Sequence, residues 1–260
     1  MVLLYNFLFT LSTFTKIPTP QIEYNEENTK YTFFCFPLVG LVLGVINYLS
    51  FLVLSSYISE SFVIAIIMIL ININITGGIH MDGYIDSMDA FKSYRSYEEK
   101  KKIIKDSRVG AFGMIHYISI ILIYLVVYFF LAKYHLAIIF LLMPIISRTI
   151  ILFLVCNNEK EPNDMLDDLI SPLIEDRYLM MTIIYFVLTF VLSVLLSPIN
   201  AIILVGTLFL GAILYALYFN FMFKNHFKAM SGDLCGYYII MAEAIAPIAF
   251  IIVSLVFILN

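Results

Sequence analysis

Apolar blocks long enough to cross a lipid bilayer follow one another down this chain, at residues 33–57, 61–79, 111–132, 136–156, 179–197, 200–222 and 237–258. A helical span needs roughly 20 such residues, and no soluble core could cover so many in a chain of 260 residues, 62% hydrophobic and 13% charged. In hydrocarbon every backbone N–H and C=O must find its partner within the chain, and the alternation expected of a membrane barrel is absent, so the spans are predicted to be helices. The expectation is an all-α, polytopic bundle of about seven transmembrane helices, forming one membrane-embedded domain over residues 1–260. The opening stretch MVLLYNFLFTLSTF is too short to span and fits an interfacial or re-entrant helix. It has neither a basic leader nor a small-residue cleavage site, so it does not read as a removable signal.

With alternating spans, the longer polar links at 80–110, 157–178 and 223–236 fall on one side together with the N-terminal segment. Lys16, Lys30, Lys92, Arg95, Lys100, Lys101, Lys102, Lys105, Arg108, Lys160, Arg177, Lys224 and Lys228 lie on that side, Lys133 lies on the other, and Arg148 sits within a span. The bias predicts a multi-pass protein of the cell membrane with these links facing the cytoplasm. Cys35, Cys156 and Cys235 are far apart, with no metal or redox spacing. Nothing in the pattern suggests nucleic acid as a partner, and it leaves the oligomeric state open.

The segment TGGIHMDGYIDSMDA, residues 76–90, closes the second apolar block. If it is helical, Asp82, Asp86 and Asp89 share one face at i, i+4 and i+7, where their mutual repulsion is relieved by a divalent cation such as Mg2+. Gly77 and Gly78 allow a sharp turn and close ligand approach, and His80 could exchange a proton near neutral pH. A solvated loop carrying ordinary helix caps fits the same spacing. KDSRVGAFG, residues 105–113, sets Lys105, Asp106 and Arg108 at the next span's entrance, where Arg offers a planar fork to phosphate oxygens; a positive-inside anchor fits it too. SGDLCG, residues 231–236, repeats the combination with Ser231, Gly232 and Asp233. All three elements stand at the same ends of their spans and could converge on one pocket.

Ionisable groups inside a membrane are usually paired or functional. Arg148 and Glu243 are expected to face each other and brace the floor of such a pocket; two groups turned separately to water is the other arrangement the sequence allows. The acidic stretch NNEKEPNDMLDDLI fits a solvated loop, long enough to close over a site as a lid.

Taken with TFTKIPTP (13–20), FPLVGLVLG (36–44), Ser147-Arg148 and Glu243, these motifs resemble, in order and spacing, the adenosylcobinamide-GDP ribazoletransferase (cobalamin synthase) family, over nearly the whole chain. Lys16 stands where that family has arginine, Lys228 and Ala229 replace two glycines, Ser231 replaces threonine, and Ile240 replaces a frequent glutamate. The resemblance implies a Mg2+-dependent phosphotransferase of cobalamin biosynthesis. It would join adenosylcobinamide-GDP to α-ribazole, or to its 5′-phosphate, through the ribose 3′-hydroxyl and release GMP. It further implies Asp82, Asp86 and Asp89 as metal ligands, with one of them or His80 as general base. Arg108 and Lys105 would hold phosphate, Asp106 would orient Arg108, and Gly77, Gly78, Ser231, Gly232 and Asp233 would contact substrate. A CDP-alcohol phosphotransferase also sets aspartates at the end of a helical bundle, but EEKKKIIKDSR occupies the place of its second acidic block. A transporter would place ionisable residues and broken helices near the midplane.

Overall fold

The computed structural model describes residues 2–20, 31–106, 108–162, 164, 166, 169, 177–196 and 201–259. Lys30 and five residues of the stretch proposed as a lid, Asn163, Met165, Asp167, Asp168 and Ile170, lie outside them. The described residues form α1 (Val2–Phe14), a 3-10 turn (Phe33–Cys35) leading into α2 (Phe36–Tyr57), α3 (Ser61–Thr76), α4 (Ile79–Lys92) and α5 (Tyr97–Ile104). They continue as α6 (Ala111–Lys133), α7 (Ile138–Cys156), α8 (Tyr178–Leu196), α9 (Ala201–His226) and α10 (Gly232–Leu259). Six of these elements are long and apolar enough to cross a membrane, and α3 with α4 makes a seventh, broken candidate. About seven spans preceded by a short N-terminal helix is therefore compatible with the structure.

Two of the boundaries that differ from the sequence expectation bear on the site. The second apolar block stops being a straight helix at Thr76, three residues early, and the chain bends by 93° into α4. The cause is local: Gly77 and Gly78 both adopt left-handed backbone, with φ of 64° and 76°, which side-chain-bearing residues adopt only at a cost. The last helix starts at Gly232 rather than 237, because Ser231 caps it: the Ser231 hydroxyl accepts a hydrogen bond from the Leu234 N–H at 3.3 Å.

α7 is the axis of the bundle, buried along almost its whole length among α2, α8 and α10. Gly40 and Gly44 of α2 lie directly against the backbone carbonyls of Pro144 and Leu141 on α7, so any side chain there would push the helices apart. This accounts for the small-residue spacing in FPLVGLVLG. α8 is the opposite case, an outer helix with most of its apolar surface exposed for lipid. A 14-residue helix carrying His80 and three aspartates has no place along a lipid-facing span, and the bend lays α4 across the end of the bundle.

Candidate functional site at one end of the bundle

α4 is fixed there by α10. Gly83 rests on the backbone of Asp233 and Gly236 rests on the backbone of His80, so the two helices cross at van der Waals contact without intervening side chains. Tyr84 and Tyr237 stack beside the crossing with ring centres 5.6 Å apart. The segments carrying Asp82 and Asp233, far apart in sequence, are thus brought together. On the other side of α4, the entrance of α6 docks on Asp89: the Gly113 N–H donates to Asp89 Oδ1 at 3.0 Å, and Gly110 leaves no room for a side chain against that carboxylate. The three motifs do converge.

The three aspartates of α4 nonetheless differ. Asp82 is exposed, Asp86 half-buried and Asp89 buried. Asp89 serves as a cap for α6, satisfying one of the N–H groups that a helix start leaves without an internal partner. Burial, and then the charges of Asp82 and Asp89, push the Asp86 carboxyl up to about 6. Asp233 stands in the field of Asp86, Asp164 and Asp82. Among the described residues no lysine or arginine pairs with Asp82, Asp86 or Asp233. Among them, too, no three His, Cys, Asp or Glu side chains form a ready-made metal shell. The set fits a hard cation in chemistry: all-oxygen donors without a paired lysine or arginine. Asp89 has one oxygen left for such a role, since Oδ1 belongs to Gly113.

His80 is placed elsewhere. It is 6% exposed, on the inward side of α4, against the rings of Phe14 and Phe36. Burial, reinforced by the nearby Arg148 guanidinium, holds its pKa well below the ordinary imidazole value, so it is neutral. A helix turns 100° per residue, so residues 80 and 82 point to nearly opposite sides. His80 lines a cavity of about 50 Å³ under α4, shared with Thr76, Gly78, Arg148 and Glu243. In that cavity Arg148 Nη1 donates to Glu243 Oε1 at 2.7 Å, and the Ser147 hydroxyl donates to the same oxygen at 2.8 Å. The Arg148 guanidinium also sits over the Phe36 ring. Sequence reading places the two charges face to face, and the structure pairs them beneath the turn that starts α4.

Arg108 is exposed and forked onto Asp106, with Nε to Oδ1 at 3.0 Å and Nη2 to Oδ2 at 2.7 Å. These bonds pull the Asp106 carboxyl down to about 2. Gly77 is covered by the aliphatic stem of Lys16, whose backbone N–H donates to the Ile75 carbonyl at 2.7 Å, whereas Gly78 faces open space. Lys105, Ser231 and Asp233 line a second cleft of about 90 Å³.

Sequence reasoning missed the far wall of that cleft. Glu159 and Glu161, treated above as part of a solvated loop, are strapped to the stretch before α10: the Glu161 N–H donates to the Met230 carbonyl at 2.8 Å and the Met230 N–H to the Glu159 carbonyl at 2.7 Å. Asp164 Oδ1 accepts from the Gly232 N–H at 3.1 Å. Glu161 is buried, ion-paired to Lys101 and bonded to the Tyr97 hydroxyl at 3.2 Å. Only acidity and polarity mark this stretch in sequence, and neither announces a long-range backbone pairing.

Fold and site together define a polytopic helical membrane protein that gathers open carboxylates, an oriented guanidinium and lysines at one end of its bundle, an assembly suited to phosphate esters. The chain belongs to the cobalamin-5-phosphate synthase family, whose sequence model matches residues 6–251. It is 31% identical over 242 residues to the adenosylcobinamide-GDP ribazoletransferase of Lachnoclostridium phytofermentans, covering 93% of this chain and 91% of that one. It is 31% identical over 246 residues to the enzyme of the same name from Clostridium perfringens strain SM101, covering 90% and 92%. With that of Clostridium botulinum strain Alaska E43 it is 32% identical over 246 residues, covering 92% and 93%. No solved structure matches. These matches do not favour the CDP-alcohol phosphotransferase or transporter alternatives.

Proposed function

We propose that this protein is an adenosylcobinamide-GDP ribazoletransferase, acting at the cytoplasmic face of the cell membrane. It transfers the adenosylcobinamide phosphate moiety to α-ribazole or its 5′-phosphate and releases GMP. The observation that supports the reading is the convergence of Asp82, Asp86 and Asp233 at one end of the bundle, with Lys105 lining the cleft beside Asp233, in a chain whose family is shown.

In the reaction, the ribose hydroxyl oxygen forms a bond to the phosphorus attached to cobinamide. The anhydride bond to the second phosphorus breaks, GMP leaves with the bridging oxygen, and the hydroxyl proton passes to a base. Asp82 and Asp86, with Asp233 and the remaining oxygen of Asp89, would hold Mg2+, which when bound supplies neutralising charge to the diphosphate. Arg108, preset by Asp106, and Lys105 bind phosphate oxygens and stabilise the charge on the departing GMP. A carboxylate of α4 is a better candidate base than His80, which is buried on the inward side of the helix. The open Gly78 corner gives substrate backbone access to the turn. The exposed position of Asp82 and Arg108 suits a corrinoid too bulky for an enclosed cavity.

The test is direct. Purified protein in nanodiscs, given Mg2+, adenosylcobinamide-GDP and α-ribazole, should release GMP in step with cobalamin. Asp82→Asn should lower turnover by more than about 100-fold and shift the Mg2+ requirement upward. Unchanged turnover and metal dependence in that variant would remove the metal assignment.

A further inference from the structure

The cleft between α5, the strap residues Glu161 and Asp164, and the start of α10 adjoins the acidic cluster but is built differently. Its floor is apolar, from Ile104, Phe227 and Leu234, and its rim carries Lys101, Lys105 and Asp164. An apolar floor with a few convergent polar groups is the usual form of a small-ligand site. Lys105 has no ion pair among the described residues. Asp164 is rigidly presented: the Gly232 N–H at 3.1 Å and the Leu166 N–H at 3.0 Å both donate to Oδ1, leaving Oδ2 without a hydrogen bond among the described residues. Asp233 sits on this cleft and within the field of Asp82 and Asp86, so a ligand in the cleft is adjacent to where a diphosphate would lie.

We infer that this cleft is the subsite for the guanosine half of the donor, with the free oxygen of Asp164 accepting from the N1–H and 2-amino edge of the base. The inference rests on the function proposed above. Lys105 stands at the phosphate end, and the Lys101–Glu161–Tyr97 clasp fixes α5 against the strap. Guanine presents two adjacent donors to a carboxylate. Adenine presents an acceptor at N1, which would leave the Asp164 carboxylate facing a lone pair, and a site built for a donor rejects such an analogue.

Turnover by the protein in nanodiscs with Mg2+ is measured in the presence of GMP, IMP, XMP or AMP as competing products, for wild type and Asp164→Asn. Asparagine retains Oδ1 for the Gly232 and Leu166 N–H groups, so the strap should hold, and it offers an amide donor to the 2-oxo group of xanthine. Wild type should be inhibited by GMP at least about 10-fold more tightly than by AMP. Asp164→Asn should weaken inhibition by GMP and strengthen inhibition by XMP. Equal inhibition of wild type by GMP and AMP, or a GMP-to-XMP ratio unchanged in the variant, overturns the inference while leaving the proposed reaction standing. Absence of any GMP release from wild type would instead sink the proposed reaction.

Discussion

Arg148 Nη1 lies 2.7 Å from Glu243 Oε1, joining α7 to α10 where Arg148 is 2% and Glu243 13% exposed. Ser147 and the Pro144 carbonyl bind the same two groups, so the polarity of the pair is built into both helices. Removing one member of a buried pair leaves an uncompensated charge and typically costs about 3–5 kcal/mol, whereas replacing both by apolar groups is often neutral. Arg148→Met and Glu243→Gln should each lower the unfolding midpoint in detergent strongly, and Arg148→Met with Glu243→Leu should recover most of the loss. A double variant no better than the worse single one would show that the two do not act as a unit.

Asp89 should be separable into a cap and a charge. Asp89→Asn keeps an oxygen for the Gly113 N–H, while Asp89→Ala removes it from a buried position. The alanine variant should therefore be less stable than the asparagine variant by about 1–2 kcal/mol, read by thermal unfolding. Equal stabilities would mean that α6 does not depend on this carboxylate.

The turn that launches α4 predicts an asymmetry between neighbouring glycines. Alanine at either position takes on left-handed backbone at about 1–2 kcal/mol. At Gly77 it also meets the stem of Lys16, but at Gly78 it meets nothing within 4 Å. Gly77→Ala should thus be the more destabilising, and Lys16→Ala should relieve part of its defect. Turnover and unfolding measured across the three variants and the double variant check the coupling.

The metal-free protein should lose stability as pH rises. The Asp86 carboxyl is raised from 3.8 to about 6 in the fold, so the folded state binds a proton more tightly than the unfolded chain does. Its unfavourable contribution is absent below about 4, grows through about 6 and is complete above that. Mg2+ should reverse the penalty, raising the unfolding temperature more above pH 6 than near pH 5, with about 2.7 kcal/mol expected at 100 times the dissociation constant. Asp233, which burial and then the Asp86 charge also push up to about 6, titrates in the same window, so Asp86→Asn should reduce both the pH dependence and the metal effect. A Mg2+ response that is the same at both pH values in wild type would break the link between Asp86 and the cation.

Much of this was legible because membrane folding leaves few choices. The block at 33–57 coincides with the 3-10 turn and α2, and the blocks at 111–132 and 179–197 match α6 and α8 within a residue or two at each end. Each is defined by its own hydropathy. The second block misleads at its end, since composition continues through Gly77 and Gly78 while backbone conformation does not. The acidic motif reads in sequence as a candidate site, and its i, i+4, i+7 spacing makes Asp82, Asp86 and Asp89 look equivalent. Packing made them exposed, half-buried and buried in turn, because only Asp89 meets the entrance of α6.

The amino-acid order alone determined the helices, the family resemblance and the gathering of acidic and basic groups at one side, since each follows from residues close together in the chain or from their transfer cost into lipid. Tertiary structure alone decided which of those groups keep free oxygens. It turned His80 inward to a buried position, paired Arg148 with Glu243, and brought Asp164 to Gly232 across a long stretch of chain. Those outcomes depend on which surfaces two distant helices or a strap bury against each other, and a local pattern carries no record of its distant partner.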